Sequence, residues 1–178
     1  MIEGKLSRRY ARAVFELAAG REEAIGAEVD GFLGAYQDPD LKKVLGNPAF
    51  DQDRRKDIVV EVAGHLGLSD LTANFLSLLV ARDRLDGLSS IANHYHRLLD
   101  DAAGRVNAKA TVSQALDEGQ RNSLVAVVGE MTGRTAMLTE EVDPGIIGGI
   151  IVEVGGKVYD GSVRTQLQTL RKSFERTY

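Results

Sequence analysis

Two pairs of neighbouring carboxylates and one serine are the side chains whose types suit catalysis. Asp100 and Asp101 form one pair, and Glu140 and Glu141 form the other. General acid–base chemistry requires two acids held a few ångströms apart in a protected cleft, and adjacency in sequence does not create such a cleft. Ser162 precedes a predicted helix, which is the position of an N-cap, and no G-x-S-x-G sequence surrounds it. We therefore predict solvated carboxylates, a capping serine and no enzymatic activity.

Histidines and glycines suggest two kinds of ligand site, for metals and for phosphates. His94 and His96 are two residues apart, a spacing that places them on nearly opposite sides of a helix, and no H-E-x-x-H pattern accompanies them. Cysteine is absent, which removes thiolate metal sites. The glycines near the end of the chain precede a strand, whereas a phosphate loop needs a helix N-terminus directly after its glycines. We predict no metal and no cofactor. We expect the five glycines to serve a hairpin turn and close backbone packing; they are Gly145, Gly148, Gly149, Gly155 and Gly156.

The composition is that of a soluble globular protein. The 178 residues are 43% apolar and 27% charged, and the formal net charge is -4. This balance argues against a nucleic-acid partner, because phosphate binding relies on clustered Lys and Arg. The longest apolar run is only a few residues, and the first fifteen residues lack the apolar segment of a secretory signal. We predict a cytosolic or membrane-peripheral protein without direct lipid insertion.

Helical periodicity fills roughly the first hundred residues and predicts six short amphipathic helices. The first extends from about Lys5 to Ala19, the fifth reaches about Arg82, and the sixth is closed by Gly104. The third, fourth and fifth helices have predicted N-caps, which are Asp38, Asp51 and Ser69.

Beyond Gly104 the apolar period changes from about 3.6 to 2, which predicts a half-buried strand. The elements predicted after it are a helix with a capping box from Asp117 to Gln120, strands near 135–142 and 146–154, a turn at Gly155-Gly156, a strand over 157–160 and a helix over 162–176. The run 146–154 is rich in β-branched residues, so we expect both faces of that strand to be covered. The fold class is therefore an all-α six-helix N-terminal bundle over residues 1–104, followed by a small α+β domain, a mixed sheet with two helices, over residues 105–178.

The first and fifth helices carry more apolar residues than one core face needs. The first helix has two neighbouring stripes, formed by Tyr10, Val14 and Leu17 and by Ala11, Phe15 and Ala18. The fifth helix has a wide apolar arc that contains Leu71, Phe75, Leu76, Leu78, Leu79 and Val80. Such a helix is either central in its own bundle or presents one face to a partner helix, and both alternatives stay open.

The last helix has a narrow apolar stripe with a basic rim. The stripe consists of Val163, Leu167, Leu170 and Phe174, and the rim consists of Arg164, Arg171 and Lys172. Packing of the stripe on its own sheet is the first interpretation. The rim would also suit an acidic or helical partner.

Several segments of the chain resemble one family over nearly its whole length. They are residues 9–18 (RYARAVFELA), 142–155 (VDPGIIGGIIVEVG) and 160–170 (DGSVRTQLQTL), with shorter matches at 47–48, 74–79 and 84–85. On these segments the chain resembles the delta subunits of bacterial F-type ATP synthases, relatives of the mitochondrial oligomycin-sensitivity-conferring protein. Gly156 departs from the family, which often has Asp at that position of the hairpin turn.

The resemblance implies a non-catalytic stator connector of a proton-translocating ATP synthase, without a cofactor, on the cytoplasmic face of the bacterial membrane. It implies that the N-terminal domain grips N-terminal helices of the alpha subunits in a groove between the first and fifth helices, formed here by Tyr10, Ala11, Val14, Leu17, Phe75, Leu78 and Leu79. It also implies that the C-terminal domain holds the b subunits of the peripheral stalk, with a contact on the last helix formed by Val163, Leu167, Leu170, Arg171 and Phe174. Leu79→Asp is then expected to weaken alpha binding far more than folding.

A free-standing helical regulatory or RNA-associated protein is the alternative function. The feature that supports it is the basic start of the first helix, with Lys5, Arg8, Arg9 and Arg12. Binding to phosphates weakens steeply as salt rises, whereas binding in an apolar groove does not. The salt dependence of binding therefore separates the two functions.

Overall fold

The computed structural model describes residues 2–175, with side chains described at residues 4–169 and at residue 171. Within these residues the chain forms eight α-helices and one four-stranded mixed sheet. The chain is mostly helical with a C-terminal α/β part, which confirms the predicted fold class at that level. It divides into two compact units, Met1–Leu99 and Asp100–Tyr178. No helix within the described residues combines the length and the apolarity of a membrane span.

The N-terminal unit is built from the helices that precede the first strand. They are α1 (Ile2–Ala18), α2 (Glu22–Ala35), α3 (Pro39–Leu45), α4 (Gln52–His65), α5 (Asp70–Ala81) and α6 (Leu88–Ala102), the last of which extends past the division between the units. The predicted caps of α3 and α4 are confirmed, because the Asp38 and Asp51 carboxylates each accept two backbone N–H groups of the following turn. The apolar faces meet in one core, whose largest fully buried side chains include Ile25, Phe32, Leu45, Leu76, Leu79, Leu88 and Tyr95.

The C-terminal unit is a sheet with one buried face. Its strands are β1 (Arg105–Val112), β2 (Thr135–Val142), β3 (Ile150–Val154) and β4 (Lys157–Asp160), and its helices are α7 (Glu118–Thr132) and α8 (Val163–Glu175). The strand order is β2-β1-β3-β4; β1 and β2 are parallel, and the other neighbours are antiparallel. The predicted capping box of Asp117 and Gln120 starts α7. Alternate residues of β1, Ala108 and Ala110, are buried, and Ala108 belongs to one core with Val128 of α7.

The predicted strand over residues 146–154 is wrong in its first half. A short 3₁₀ turn occupies Pro144–Ile146, where Asp143 Oδ1 accepts the N–H of Gly145. The backbone then takes positive φ angles at Ile147 (68°) and Gly149 (80°), which an extended strand cannot contain, so β3 begins only at Ile150. Full cover on both faces is also wrong, because Glu153 of β3 is exposed. The predicted hairpin turn is confirmed, since Gly155 and Gly156 both have positive φ between β3 and β4.

Candidate partner-binding surfaces

The carboxylates considered for catalysis form ion pairs with neighbouring basic residues. Asp100 Oδ1 accepts from Arg105 Nε at 3.2 Å, and Glu140 Oε2 accepts from Arg121 Nη2 at 2.6 Å. The Glu140 side chain is largely buried on the sheet face that carries the core, so the prediction of a solvated carboxylate is wrong there. Glu141 points to the opposite face, because successive residues of a strand alternate, and it is exposed. These carboxylates do not form a protected pair of acids.

The two histidines of α6 have separate surroundings. His96 Nε2 lies 2.9 Å from Asp30 Oδ2 of α2, whereas His94 lies near Arg97 and near Arg8 of α1. Burial lowers the pKa of His94, and the two guanidinium groups lower it further. Within residues 2–175, no three His, Cys, Asp or Glu side chains come together as metal ligands.

α1 and α5 touch through aromatic rings. The ring centroids of Tyr10 and Phe75 are 6.3 Å apart at an interplanar angle of 58°. On its other side α1 contacts α6, where the rings of Phe15 and Tyr95 are 5.7 Å apart. α1 therefore lies between two helices of its own unit, and the second apolar stripe of α1 is used in part by α6.

The buried face of α1 consists mainly of small residues, and the apolar stripes predicted from the sequence miss one of them, Ser7. The buried positions are Ser7, Ala11, Val14 and Ala18, at the helical spacing i, i+4, i+7, i+11. Small side chains at this spacing could have indicated the face, because they allow a close approach of the neighbouring helices. Ser7 is polar and therefore stands outside any stripe defined by apolar residues.

The seven residues predicted to line the α1–α5 groove divide into buried and exposed groups. Ala11, Val14, Phe75 and Leu79 are buried in the core of the unit. Leu17 is 67% exposed, Leu78 is 43% exposed and Tyr10 is half-buried. We call the last three the α1–α5 surface. Leu79 is a core residue in this structure, so the expectation that Leu79→Asp would spare folding is not supported by its surroundings.

The N-terminus of α5 is held by a carboxylate of α2. Ser69 precedes α5 as predicted, but its hydroxyl does not cap the helix. Instead the Ser69 N–H and hydroxyl and the Thr72 hydroxyl all donate to Glu28 Oε2. Burial raises the pKa of Glu28, but the hydrogen bonds from Thr72 and Ser69 and the charge of Arg21 outweigh it, and the net pKa is lowered. Glu28 thus fixes the position of α5, and with it that of Leu78.

We expect Glu28→Gln to destabilise the protein in a pH-dependent way. A carboxylate with a lowered folded-state pKa stabilises the fold above its unfolded-state pKa of about 4.3 and loses that contribution as pH falls through the folded-state pKa. The variant should therefore be less stable by about 1–2 kcal/mol at pH 7, where a charged acceptor is lost, and the difference should shrink below about pH 4. Urea unfolding followed by circular dichroism at several pH values measures it. Glu61→Gln, an exposed carboxylate on α4, is the control, and an equal loss for Glu28→Gln at every pH would contradict the expectation.

The described apolar residues of α8 are not packed on the sheet. Val163 is 38% exposed and Leu167 is 54% exposed, so the first interpretation of this stripe is wrong for these two residues. Arg171 is exposed as well, and the side chains of Leu170 and Phe174 lie outside the described residues. We call Val163 and Leu167, with the neighbouring Arg164, the α8 surface.

The start of α8 is firmly capped. Ser162 Oγ accepts the N–H of Thr165 at 3.2 Å, which confirms the predicted N-cap. Asp160 accepts the N–H of Ser162 and the hydroxyl of Thr165, and these hydrogen bonds hold the pKa of Asp160 below its usual range. A second attachment joins this turn to the segment before β3, where Val163 N–H donates to the Gly148 carbonyl at 3.0 Å. The glycine-rich segment therefore positions α8.

Comparisons with known proteins agree with this architecture. The family model described as ATP synthase delta (OSCP) subunit matches residues 6–174. The ATP synthase subunit delta of Anaeromyxobacter sp. (strain Fw109-5) is 39% identical, covering 98% of this chain and 99% of the relative. The ATP synthase subunit delta of Solidesulfovibrio magneticus is 36% identical, with 96% of each chain covered. A chain in the cryo-EM structure of the Toxoplasma gondii mitochondrial ATP synthase hexamer has the same fold, with a TM-score of 0.69 at 22% identity over 95% of this chain and 97% of that chain.

Proposed function

Because the chain belongs to the ATP synthase delta (OSCP) subunit family, we propose which of its surfaces bind the neighbouring subunits of the complex. The protein is a non-catalytic connector in the stator of ATP synthase. A stator resists torque without taking part in chemistry. Two linked contacts achieve this with moderate individual affinities, because the first contact raises the effective concentration of the second.

The N-terminal unit, as a six-helix bundle over residues 1–104, binds an N-terminal helix of an alpha subunit on the α1–α5 surface. The observation that carries this proposal is the exposure of Leu17 and Leu78 on two helices that touch at the Tyr10–Phe75 contact. Large apolar side chains left in water on adjacent helices favour cover by an amphipathic helix. Of the predicted groove residues, Tyr10, Leu17 and Leu78 make the contact, and the buried ones support it from below.

The C-terminal unit, over residues 105–178, binds the b subunits of the peripheral stalk through the α8 surface. The exposure of Val163 and Leu167 supports this proposal, because one helix of a small unit leaves these two residues of its apolar stripe uncovered beside the basic Arg164. The capped start of α8 and its attachment to Gly148 hold that stripe in place. The connector then lies at the cytoplasmic face of the bacterial membrane as a peripheral part of the enzyme.

Leu78→Asp is expected to weaken binding of an alpha-subunit N-terminal peptide at least tenfold. Covering a leucine side chain contributes about 1.5–3 kcal/mol, and the substitution both removes that contribution and places a charge in the contact. Because Leu78 is partly exposed in the free protein, we expect unfolding free energy to change by less than about 1 kcal/mol. Titration calorimetry with the full chain measures the affinity, and thermal melting measures the stability.

Val60→Asp is the matched control for this experiment. Val60 is an exposed apolar residue of α4, outside the α1–α5 surface. Binding by Val60→Asp should equal that of the wild type. Equal affinity of the Leu78→Asp and Val60→Asp variants would show that the alpha helix binds elsewhere.

A further inference from the structure

α1 and α5 run in opposite directions where they meet. Tyr10, near the middle of α1, packs on Phe75, near the middle of α5. One turn earlier in α1, Ser7 lies next to Gly87, because a Cβ built on Gly87 would be 3.9 Å from Ser7 Oγ. Gly87 ends the 3₁₀ turn Leu85–Gly87, which contacts α5, and the Arg84 N–H just before this turn donates to the Leu79 carbonyl near the end of α5. The N-terminal half of α1 therefore lies beside the C-terminal end of α5. The α1–α5 surface has two different ends, one near Leu78 and the other near Leu17.

The end near Leu78 carries two exposed arginines. Arg9 directly precedes Tyr10 in α1, and Arg82 directly follows α5, four residues after Leu78, so that it lies one turn further on the same side. Neither arginine forms an ion pair with any described residue. At the opposite end, the first residue of α5 is the acidic Asp70. The two ends thus differ in charge.

Among the residues whose side chains are described, the acidic groups nearest to these arginines in sequence are already engaged. Asp83, next to Arg82, accepts from Arg55 Nη1 at 2.8 Å. Glu16, on the following turns of α1, pairs with Arg12 at 2.9 Å. The positive charge of Arg9 and Arg82 is therefore available to a partner at the rim of the apolar contact, where charges act mainly on orientation and on the association rate.

We propose that the helix bound by the α1–α5 surface carries acidic side chains where it passes Arg9 and Arg82, and that this contact sets the direction in which the helix lies. The inference rests on the proposed binding of an alpha-subunit helix to this surface. An apolar stripe alone fits a groove in either direction, since leucine side chains have no polarity along the helix. Arginines without an ion pair to a described residue lie at the Leu78 end, whereas Arg21 at the other end pairs with Glu28 at 3.8 Å. This difference removes the ambiguity, because the reversed helix would leave its acidic residues beside Asp70.

The test is a charge reversal of both arginines in the full chain. The probe is a synthetic peptide of the N-terminal segment of the alpha subunit from the same organism, titrated by calorimetry at low and at high salt. The Arg9→Glu, Arg82→Glu double variant should bind about tenfold more weakly than the wild type at low salt. The difference should fall to about twofold or less at high salt, because rim charges are screened.

Arg8→Glu is the matched control, and the peptide itself provides a second test. Arg8 is also exposed on α1 but lies towards α6, near His94, so its reversal should change affinity less than twofold. A peptide whose acidic residues are replaced by lysine should bind the double variant better than it binds the wild type.

Three results separate the possible outcomes. Tenfold weakening confined to the double variant, with rescue by the lysine peptide, supports the inference. If the wild type binds the peptide and the double variant binds it equally tightly at low salt, the inference is wrong and the proposed function stands. A wild-type chain that does not bind the peptide under either condition would overturn both.

Discussion

Leu79→Asp is expected to abolish stable folding of the N-terminal unit. Leu79 is fully buried in the core cluster that joins the helices of that unit. Truncating a buried leucine alone costs about 2–5 kcal/mol, and a carboxylate placed there adds the cost of an unpartnered buried charge. The sum is comparable to the whole stability of a typical domain, about 5–15 kcal/mol. Circular dichroism and urea unfolding should show loss of the cooperative transition of this unit at neutral pH.

Leu78→Asp and Leu79→Met are the two controls for this prediction. Leu78 is the sequence neighbour of Leu79 but is exposed, so the same aspartate there should leave the unfolding transition nearly unchanged. Leu79→Met keeps the apolar volume and should cost less than about 1.5 kcal/mol. If the Leu78→Asp and Leu79→Asp variants lost equal stability, the assignment of one side chain to the surface and the other to the core would be incorrect.

Gly149→Ala is expected to disrupt the C-terminal unit around the start of α8. A Cβ on Gly149 would lie 2.4 Å from the Gly161 carbonyl oxygen and 3.0 Å from the Ser162 Cα, and both are backbone atoms that cannot rotate away. Its φ of +80° adds a further cost for any L-residue. Overpacking and backbone strain together cost about 3 kcal/mol or more. The turn before α8 would have to move and would lose the Gly161 N–H hydrogen bond to the Ile150 carbonyl.

We expect Gly149→Ala to weaken the proposed contact with the peripheral stalk as well, because this turn positions the α8 surface. Thermal melting should show the loss of stability, and calorimetry with a soluble b-subunit fragment should show weaker binding by the Gly149→Ala variant. Gly155→Ala is the control that separates the cost of a positive φ angle from the cost of a steric clash. Gly155 also has a positive φ, of 58°, but a Cβ built on it would have no atom within 4 Å. We expect that variant to lose about 1 kcal/mol and to keep its affinity for the fragment. A Gly149→Ala variant as mild as Gly155→Ala would refute the close-approach explanation.

Most secondary structure was readable from local chemistry. Helical spacing, the aspartate caps of α3 and α4, the capping box of α7 and the Gly155-Gly156 turn act between residues close in the chain, so the sequence contains the whole interaction. The strand predicted over residues 146–149 is wrong because local chemistry does not include contacts with distant residues. β-Branched residues favour a strand, but the positive φ angles at Ile147 and Gly149 accompany contacts with the turn before α8, which is distant in sequence.

The family was readable too, because its motifs combine several local features in order: the start of α1, the glycine-rich segment before β3 and the capped start of α8. The membership that these motifs suggested is shown by the comparisons. The motifs did not indicate which of their side chains are exposed to solvent. Leu78 and Leu79 belong to the same apolar arc of α5, and only the packing of α5 against α4 and the other helices of the unit exposes one and buries the other.

The sequence by itself therefore determined the order and type of the elements, the absence of cysteine chemistry and the family. Tertiary structure alone decided which apolar residues are exposed on the proposed partner surfaces and which residues hold them in place. Glu28 beneath α5, the buried Arg55 joined to Asp83, and Gly149 against Gly161 each depend on partners between 12 and 44 residues away. A periodic pattern defines a helix face only to within one neighbouring position, and the rotation that places Leu17 in solvent and Ala18 in the core is set by the helices that pack around it.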